Sequence, residues 1–166
     1  MELRFRKITP QDPVIQEVKA LYEASFPPEE QRPFYALFSE FYGEGELLAF
    51  FDGERFAGMV MLLSFEDITH ILYFAVAPEL RDRGCGSRIL ELIREQYPGQ
   101  RIIADLERPE KDAGNEAQRE KRIAFYEKNG YRSTGIDYRW EKQDYLIVSN
   151  GGNVTRELRE PFTICS

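Results

Sequence analysis

The chain has 166 residues, 42% of them hydrophobic, with a net charge of −7 and a pI near 4.9. That length implies one domain and that apolar share can build a real core. The acidic balance argues against a general nucleic-acid binder, which needs a basic face, and is compatible with a cationic acceptor.

In chain order, Leu3 to Ile8 alternates and reads as a first strand, ended by Thr9-Pro10. Asp12-Pro13 looks like an N-cap with proline at the first helical position, opening a helix to about Ala24. Phe26-Pro27-Pro28-Glu29-Glu30 breaks it. A second helix is predicted from about Gln31 to Tyr42, carrying Phe34, Tyr35, Phe38, Phe41 and Tyr42, with Gly43 to Gly45 closing it. Strands Glu46 to Asp52 and Arg55 to Phe65 follow, joined by the hairpin turn Asp52-Gly53. A third strand, about Thr69 to Ala77, ends at Pro78, and a basic, glycine-punctuated turn leads into a helix from Gly86 to Gln96.

That helix has Ile89, Leu90, Leu92 and Ile93 on one side, and Pro98-Gly99 stops it. Arg101 to Leu106 is a short apolar strand, and Glu107 to Gly114 an irregular polar loop. A helix from about Glu116 to Lys128 ends at Asn129-Gly130, a good C-terminal cap. Tyr131 to Glu141 and Asp144 to Ser149 read as a closing hairpin. This order predicts one mixed α/β (α+β) domain over residues 1–149, a central sheet flanked by helices, and an unassigned tail over 150–166.

No apolar run reaches the roughly 18 residues that cross a membrane. Met-Glu-Leu-Arg-Phe-Arg-Lys at the start has no apolar signal core, so a cytoplasmic protein with no membrane partner is expected. Cys85, Cys165 and a single histidine make neither a disulfide framework nor a usual zinc site. Cys85 is read as a tolerated small residue, with redox sensing as the alternative. Asn153-Val-Thr155 is a glycosylation sequon only on paper, since export is not expected.

The richest stretch is the strand, turn and helix start around Arg81-Asp82-Arg83-Gly84-Cys85-Gly86-Ser87. A helix start offers unpaired N–H groups and the positive end of the helix dipole. Glycines let a phosphate approach that backbone, and arginines neutralise its charge. The turn lacks the spacing that places a lysine and a magnesium-ligating hydroxyl, so a nucleotide triphosphatase is excluded. It also lacks the three glycines of a dinucleotide fold.

Arg81-x-x-Gly84-x-Gly86 resembles the coenzyme A pyrophosphate signature of the GNAT superfamily, the acetyl-CoA-dependent N-acetyltransferases. Phe74-Ala75-Val76-Ala77-Pro78-Glu79 is similar to the family's preceding strand. Arg122-Ile-Ala-Phe-Tyr126-Glu-Lys-Asn-Gly130-Tyr131 is similar to its later helix-to-strand turn. The likeness spans roughly residues 3 to 149 and is strongest from Ile71 to Tyr131. Asp82 departs from it, standing where many members carry glycine; an acid beside a pyrophosphate is unfavourable unless it points to solvent.

The resemblance implies a twisted mixed sheet of about seven strands with about four helices. That sheet would be splayed between the strand ending near Ala77 and the strand Arg101 to Leu106, with the acyl-pantetheine arm in the gap. It further implies acetyl-CoA as co-substrate, no metal, and contacts from Phe74, Ala75, Val76 and the loop. Asn115 resembles a position that touches the pantetheine arm, though it equally suits a helix N-cap. The acceptor would be a primary amine of a small molecule or peptide, on a monomer or homodimer.

Acetyl transfer to an alkyl amine first needs a proton removed, which at pH 7 and an amine pKa of about 10.4 costs about 4.6 kcal/mol. Two bases are candidates. Glu107 sits where Arg101 to Leu106 ends, and His70 lies on the strand entering the motif. Period-two alternation sets His70 on one face with Leu72, Phe74 and Val76; Glu66 and Asp67 are lesser options. A backbone N–H near Val76 is expected to hold the thioester carbonyl. Tyr126, by the resemblance, would protonate the departing thiolate. Phe34, Tyr35, Phe38, Tyr42, Tyr138, Trp140 and Tyr145 are candidate acceptor walls, and Glu29 and Glu30 could attract a cation. The second reading is a catalytically silent acyl-CoA sensor.

Overall fold

A computed structural model describes residues 2–39, 45–109, 114–140 and 142–151. Seven strands form one mixed sheet in the order β1-β2-β3-β4-β5-β7-β6. They are β1 (Leu3–Lys7), β2 (Gly45–Asp52), β3 (Arg55–Phe65), β4 (Ile68–Val76), β5 (Arg101–Glu107), β6 (Arg132–Trp140) and β7 (Gln143–Ser149). The hairpins read from alternation and turn residues are all present, and each pairs antiparallel. Only β4 and β5 run parallel, joined through the helix α2 (Cys85–Gln96), as a crossover requires.

The sheet has an apolar cluster on each face. On one, α1 (Ile15–Ser25) and the 3-10 turn Phe34–Phe38 cover Leu47, Met59, Met61, Ile68, Ile103 and Ile147. On the other, α2 and α3 (Glu116–Lys128) cover Val60, Leu62, Ile71, Ala104, Leu106 and Val148. Alternate residues of each strand thus feed opposite layers, which is why the central strands read as nearly continuous apolar runs.

The helix predicted from Gln31 to Tyr42 is not continuous. Its described residues form the 3-10 turn Phe34–Phe38, a second such turn, Pro28–Glu30, lying just before the segment, so the four helical elements expected are three α-helices and the turn Phe34–Phe38. Phe41 and Tyr42 lie outside the described residues. Pro33 has no N–H to donate and forces the residue before it out of helical geometry. Tyr22 fixes the extended link: its hydroxyl accepts from Arg32 N–H at 2.8 Å and donates to Arg32 O at 2.9 Å. The helix starts later than Asp12-Pro13 implied: Val14 is the N-cap of α1 and makes no side-chain cap bond, while Asp12 Oδ1 accepts from Val14 N–H at 3.0 Å in the turn before it.

Of the tail, only Asn150 and Gly151 are described. Asn150 carries the β7–β5 pairing past its end, its Oδ1 accepting from Ile102 N–H at 2.8 Å. Cys165 and the Asn153 sequon lie outside the described residues.

The β4–β5 ladder is short. It pairs Ile68↔Arg101 through Ile71↔Ala104 and stops, although β4 runs on to Val76 and β5 to Glu107. The two strands therefore open from one another over their last residues. A β-bulge accompanies the opening. β3 pairs Met61↔Tyr73 and then Leu62↔Ile71, so Leu72 is an extra residue in β4.

The bulge corrects the alternation expected for His70. Past Leu72 the two faces exchange, because one inserted residue shifts a period of two. Phe74 and Val76 pack against the α2–α3 layer, while His70 shares the opposite face with Leu72 and Tyr73.

Candidate active site

The basic turn lies where β4 ends. Arg81, Asp82, Arg83 and Gly84 are exposed, and Gly84 caps α2 at φ 82°. The first helical bond is Arg88 N–H to Gly84 O at 3.0 Å, so the N–H groups of Cys85, Gly86 and Ser87 stand at the helix start without helical acceptors. Asp82 has φ 61°, a conformation in which glycine is cheapest and aspartate is tolerated. Its side chain is 77% exposed and 3.3 Å from Lys121 Nζ, so this acid is turned to solvent and partly neutralised. Arg81 Nε donates to Val76 O at 3.2 Å, tying the turn to the end of β4.

The two glycines serve different needs. A Cβ on Gly84 would meet nothing within 4 Å, whereas one on Gly86 would stand 3.1 Å from Phe125 Cζ. Gly86 thus lets α2 approach α3, and Ser87 Oγ accepts from Asn129 Nδ2 at 3.2 Å across the same contact. Cys85 is buried and burial pushes its thiol up, the setting of an inert small residue rather than a reactive thiolate.

Asn115 precedes α3, yet its side chain makes no capping hydrogen bond. Its buried Oδ1 has no hydrogen-bond partner among the described residues. Ala77 N–H donates to Ala57 O at 2.8 Å. Strand alternation then turns the N–H of Val76 away from β3, toward the opening. Phe74 lies with its ring 6.1 Å from Phe125, and Ala75 is buried on the other face.

Tyr126 is buried in the α3 layer, its ring 5.4 Å from Phe125 and 5.2 Å from Tyr131. Burial, then Tyr131 and Asp105, push its phenol up, with Arg122 opposing. It is therefore a neutral hydroxyl that keeps its proton through the physiological range.

On the opposite face, a pocket of about 320 Å³ lies against both opened strands. Glu30, His70, Tyr73, Asp105, Tyr138 and Tyr145 are among its lining residues. The sheet register builds it: Glu107 pairs with Tyr145, and Tyr145 with Tyr138, so the three side chains share a face. Tyr138 and Tyr145 stack with centroids 5.2 Å apart. Trp140 stands exposed at the rim, while Phe34 is a core residue and does not line the pocket.

Asp105, which residue patterns did not single out, joins three strands. Its Oδ1 lies 3.3 Å from His70 Nε2 and its Oδ2 accepts from the Tyr138 hydroxyl at 2.5 Å. Glu107 is the last residue of β5, not part of the following loop, and it is held by Arg119 at 2.8 Å with both side chains 10% exposed. It does not line the pocket; Glu30, whose Oε1 accepts from the Tyr145 hydroxyl at 3.0 Å, does. Glu66 and Asp67 stand at the β3–β4 turn, Asp67 paired with Arg101 at 3.0 Å, and neither lines the pocket.

Residues 15–131 match the model of the Acetyltransferase (GNAT) family. A solved GNAT-family acetyltransferase from Bacteroides thetaiotaomicron is 25% identical with a TM-score of 0.78, the match covering 96% of this chain and 93% of that one. Two more distant structures share the fold. The ribosomal-protein-S18-alanine N-acetyltransferase of Escherichia coli gives TM-score 0.66 at 14% identity, covering 94% and 97%. A GNAT-family acetyltransferase of Elizabethkingia anophelis with acetyl-CoA bound gives 0.60 at 15%, covering 92% and 98%. No curated protein matches the chain.

Proposed function

This chain belongs to the acetyltransferase (GNAT) family, and from that premise we propose that it transfers the acetyl group of acetyl-CoA to a primary amine of a small molecule or peptide, by direct attack in a ternary complex. One observation carries the reading. The β4–β5 ladder ends at Ile71↔Ala104, and the opening beyond it has a phosphate-type helix start at the end of β4 and an acidic, aromatic pocket against both strands.

The coenzyme supplies an acyl group activated as a thioester. For its pyrophosphate the chain offers the N–H groups of Cys85, Gly86 and Ser87, with Arg81 and Arg83 for charge. The unpartnered Oδ1 of Asn115 is suited to an amide N–H of the pantetheine arm. The N–H of Val76 faces the opening, where it can hold a developing oxyanion.

Asp105, Glu29 and Glu30 draw a cationic amine into the pocket, and the stacked tyrosines bound its apolar part. The base demand falls on a pocket carboxylate rather than on His70; Glu107 itself is held by Arg119 and does not line the pocket. His70 Nε2 is turned to the Asp105 carboxylate, which makes His70 a positioning residue for Asp105. Tyr126, a buried neutral phenol, donates a proton to the departing sulfur. A cytoplasmic setting is consistent with this chemistry; among the described residues no helix is long and apolar enough to cross a membrane.

The test pairs calorimetry with turnover. Acetyl-CoA should bind the protein alone, and a panel of primary amines should include one that is acetylated with release of free thiol. Binding with no turnover of any amine would instead assign the chain to acyl-CoA sensing.

A further inference from the structure

An acid stands at the first position of β5 beyond its ladder with β4. The last rung is Ile71↔Ala104, and the next residue of β5 is Asp105. On its other side the backbone of Asp105 is fixed by pairing with Ile147 of β7. Asp105 shares a face with Ile103, two residues back, and Ile103 pairs with His70. The register therefore brings an imidazole from β4 and a phenol from β6 to one carboxyl group. His70 Nε2 lies 3.3 Å from Oδ1, and the Tyr138 hydroxyl donates to Oδ2 at 2.5 Å. Each oxygen thus has its own tether, and the Tyr138 ring is stacked on Tyr145 at 5.2 Å. The carboxyl group is fixed yet reachable. Its side chain is 22% exposed, against 4% for His70, and it lines the pocket.

We propose that Asp105 is the general base of acetyl transfer, with His70 and Tyr138 as its positioning residues. The proposal rests on the N-acetylation reading of the pocket. The neutral form of the amine attacks the thioester carbonyl. As the N–C bond forms, positive charge grows on nitrogen and its protons become acidic. A carboxylate of ordinary basicity can then take one. One N–H bond breaks and one O–H bond forms on Asp105. The carbonyl π pair moves to oxygen and returns as the C–S bond breaks, the sulfur leaving with the proton of Tyr126. Asp105 then loses its proton to solvent, and Tyr126 regains one from it. A carboxylate has about four lone-pair positions, so two tethers orient it without preventing a hydrogen bond from the amine.

The other acids of the pocket are placed differently. Glu29 and Glu30 both come from the 3-10 turn Pro28–Glu30, and Glu29 is exposed. Glu30 is held at that turn, its Oε1 accepting from the Tyr145 hydroxyl at 3.0 Å and its O from the Tyr73 hydroxyl at 2.7 Å. Among the described lining acids, Asp105 is the one that stands on a strand of the opening. That strand lies where β4 and β5 part, the gap in which the acyl arm of the coenzyme is proposed to lie.

The test uses the full chain. Asp105→Asn keeps the size of the side chain and an oxygen for one tether but cannot take a proton. With an alkyl amine that the parent acetylates, its kcat/KM should fall by about 10²-fold, with acetyl-CoA affinity by calorimetry unchanged. Glu30→Gln should lose less. Formate should restore part of the rate to Asp105→Gly, because a small carboxylate can enter the space left and accept the proton; chloride should not. His70→Gln, which keeps a side-chain N–H, should retain more of kcat than His70→Ala at equal acetyl-CoA affinity. Acetyl-CoA without any amine gives a separate arm: water takes the place of the amine, and the parent should release thiol slowly while Asp105→Asn releases far less. If no amine is acetylated but this hydrolysis depends on Asp105, the N-acetylation reading fails and the base stands. Thiol release that is absent from the parent, or equal in the parent and Asp105→Asn, overturns the proposal. So does a larger loss in Glu30→Gln with no rescue by formate.

Discussion

Gly84 and Gly99 make a controlled pair for testing the coenzyme loop. Both have positive φ, 82° and 79°, and a Cβ on either would meet nothing within 4 Å. Replacing each with leucine therefore adds backbone strain without an internal clash. An L-residue in that conformation costs roughly 1–2 kcal/mol. For a domain of this size each kcal/mol lowers Tm by roughly 2–4 °C, so both variants should melt lower by roughly 2–8 °C.

The two should separate on binding. Gly99 lies in the turn between α2 and β5, at the opposite end of α2 from Gly84. Gly84 caps the helix whose first N–H groups are proposed to hold the pyrophosphate, and a side chain there would enter the open space beside them. Calorimetry should show acetyl-CoA affinity intact in Gly99→Leu. In Gly84→Leu it should be weaker by tenfold or more, that is at least about 1.4 kcal/mol. Equal affinity in both variants would show that Gly84 serves only the turn and that the pyrophosphate lies elsewhere.

Tyr126→Phe keeps the buried ring and removes its proton; coenzyme affinity should hold while the maximal rate falls about 10²-fold, and an unchanged rate would assign the hydroxyl to packing. Asn115→Ala should leave urea stability within a few tenths of a kcal/mol, because no cap bond is lost. Acetyl-CoA affinity should fall by the value of one hydrogen bond, about 0.5–1.5 kcal/mol; a stability loss near 1 kcal/mol with intact binding would return Asn115 to capping.

Much of this protein is written in short-range patterns. Alternation, Asp52-Gly53, Asn129-Gly130 and the order of elements specify the strands, one hairpin turn, the end of α3 and the parallel crossover, because each depends on residues a few positions apart. The Arg81-x-x-Gly84-x-Gly86 turn is likewise local, and its geometry at the start of α2 follows from glycine at φ 82°. The one helix misread, Gln31 to Tyr42, had helical spacing of its aromatics, but Pro33 interrupts it and Tyr22, from α1, holds the extended link.

Other features exist only once the sheet has assembled. Leu72 carries no mark of a bulge, since any residue can be the inserted one; its consequence is that His70 and Val76 face opposite layers. Asp105 reads as one acid in an apolar strand until β4 and β6 bring His70 and Tyr138 to it. The contact of Glu30 with Tyr145 depends on the proline-broken turn and β7 both holding their places at once. Residue type and spacing along the chain determine which groups can donate or accept a proton. Which of them meet in one pocket is decided by strand register and by the turns packed on the strands, and those belong to the folded sheet alone.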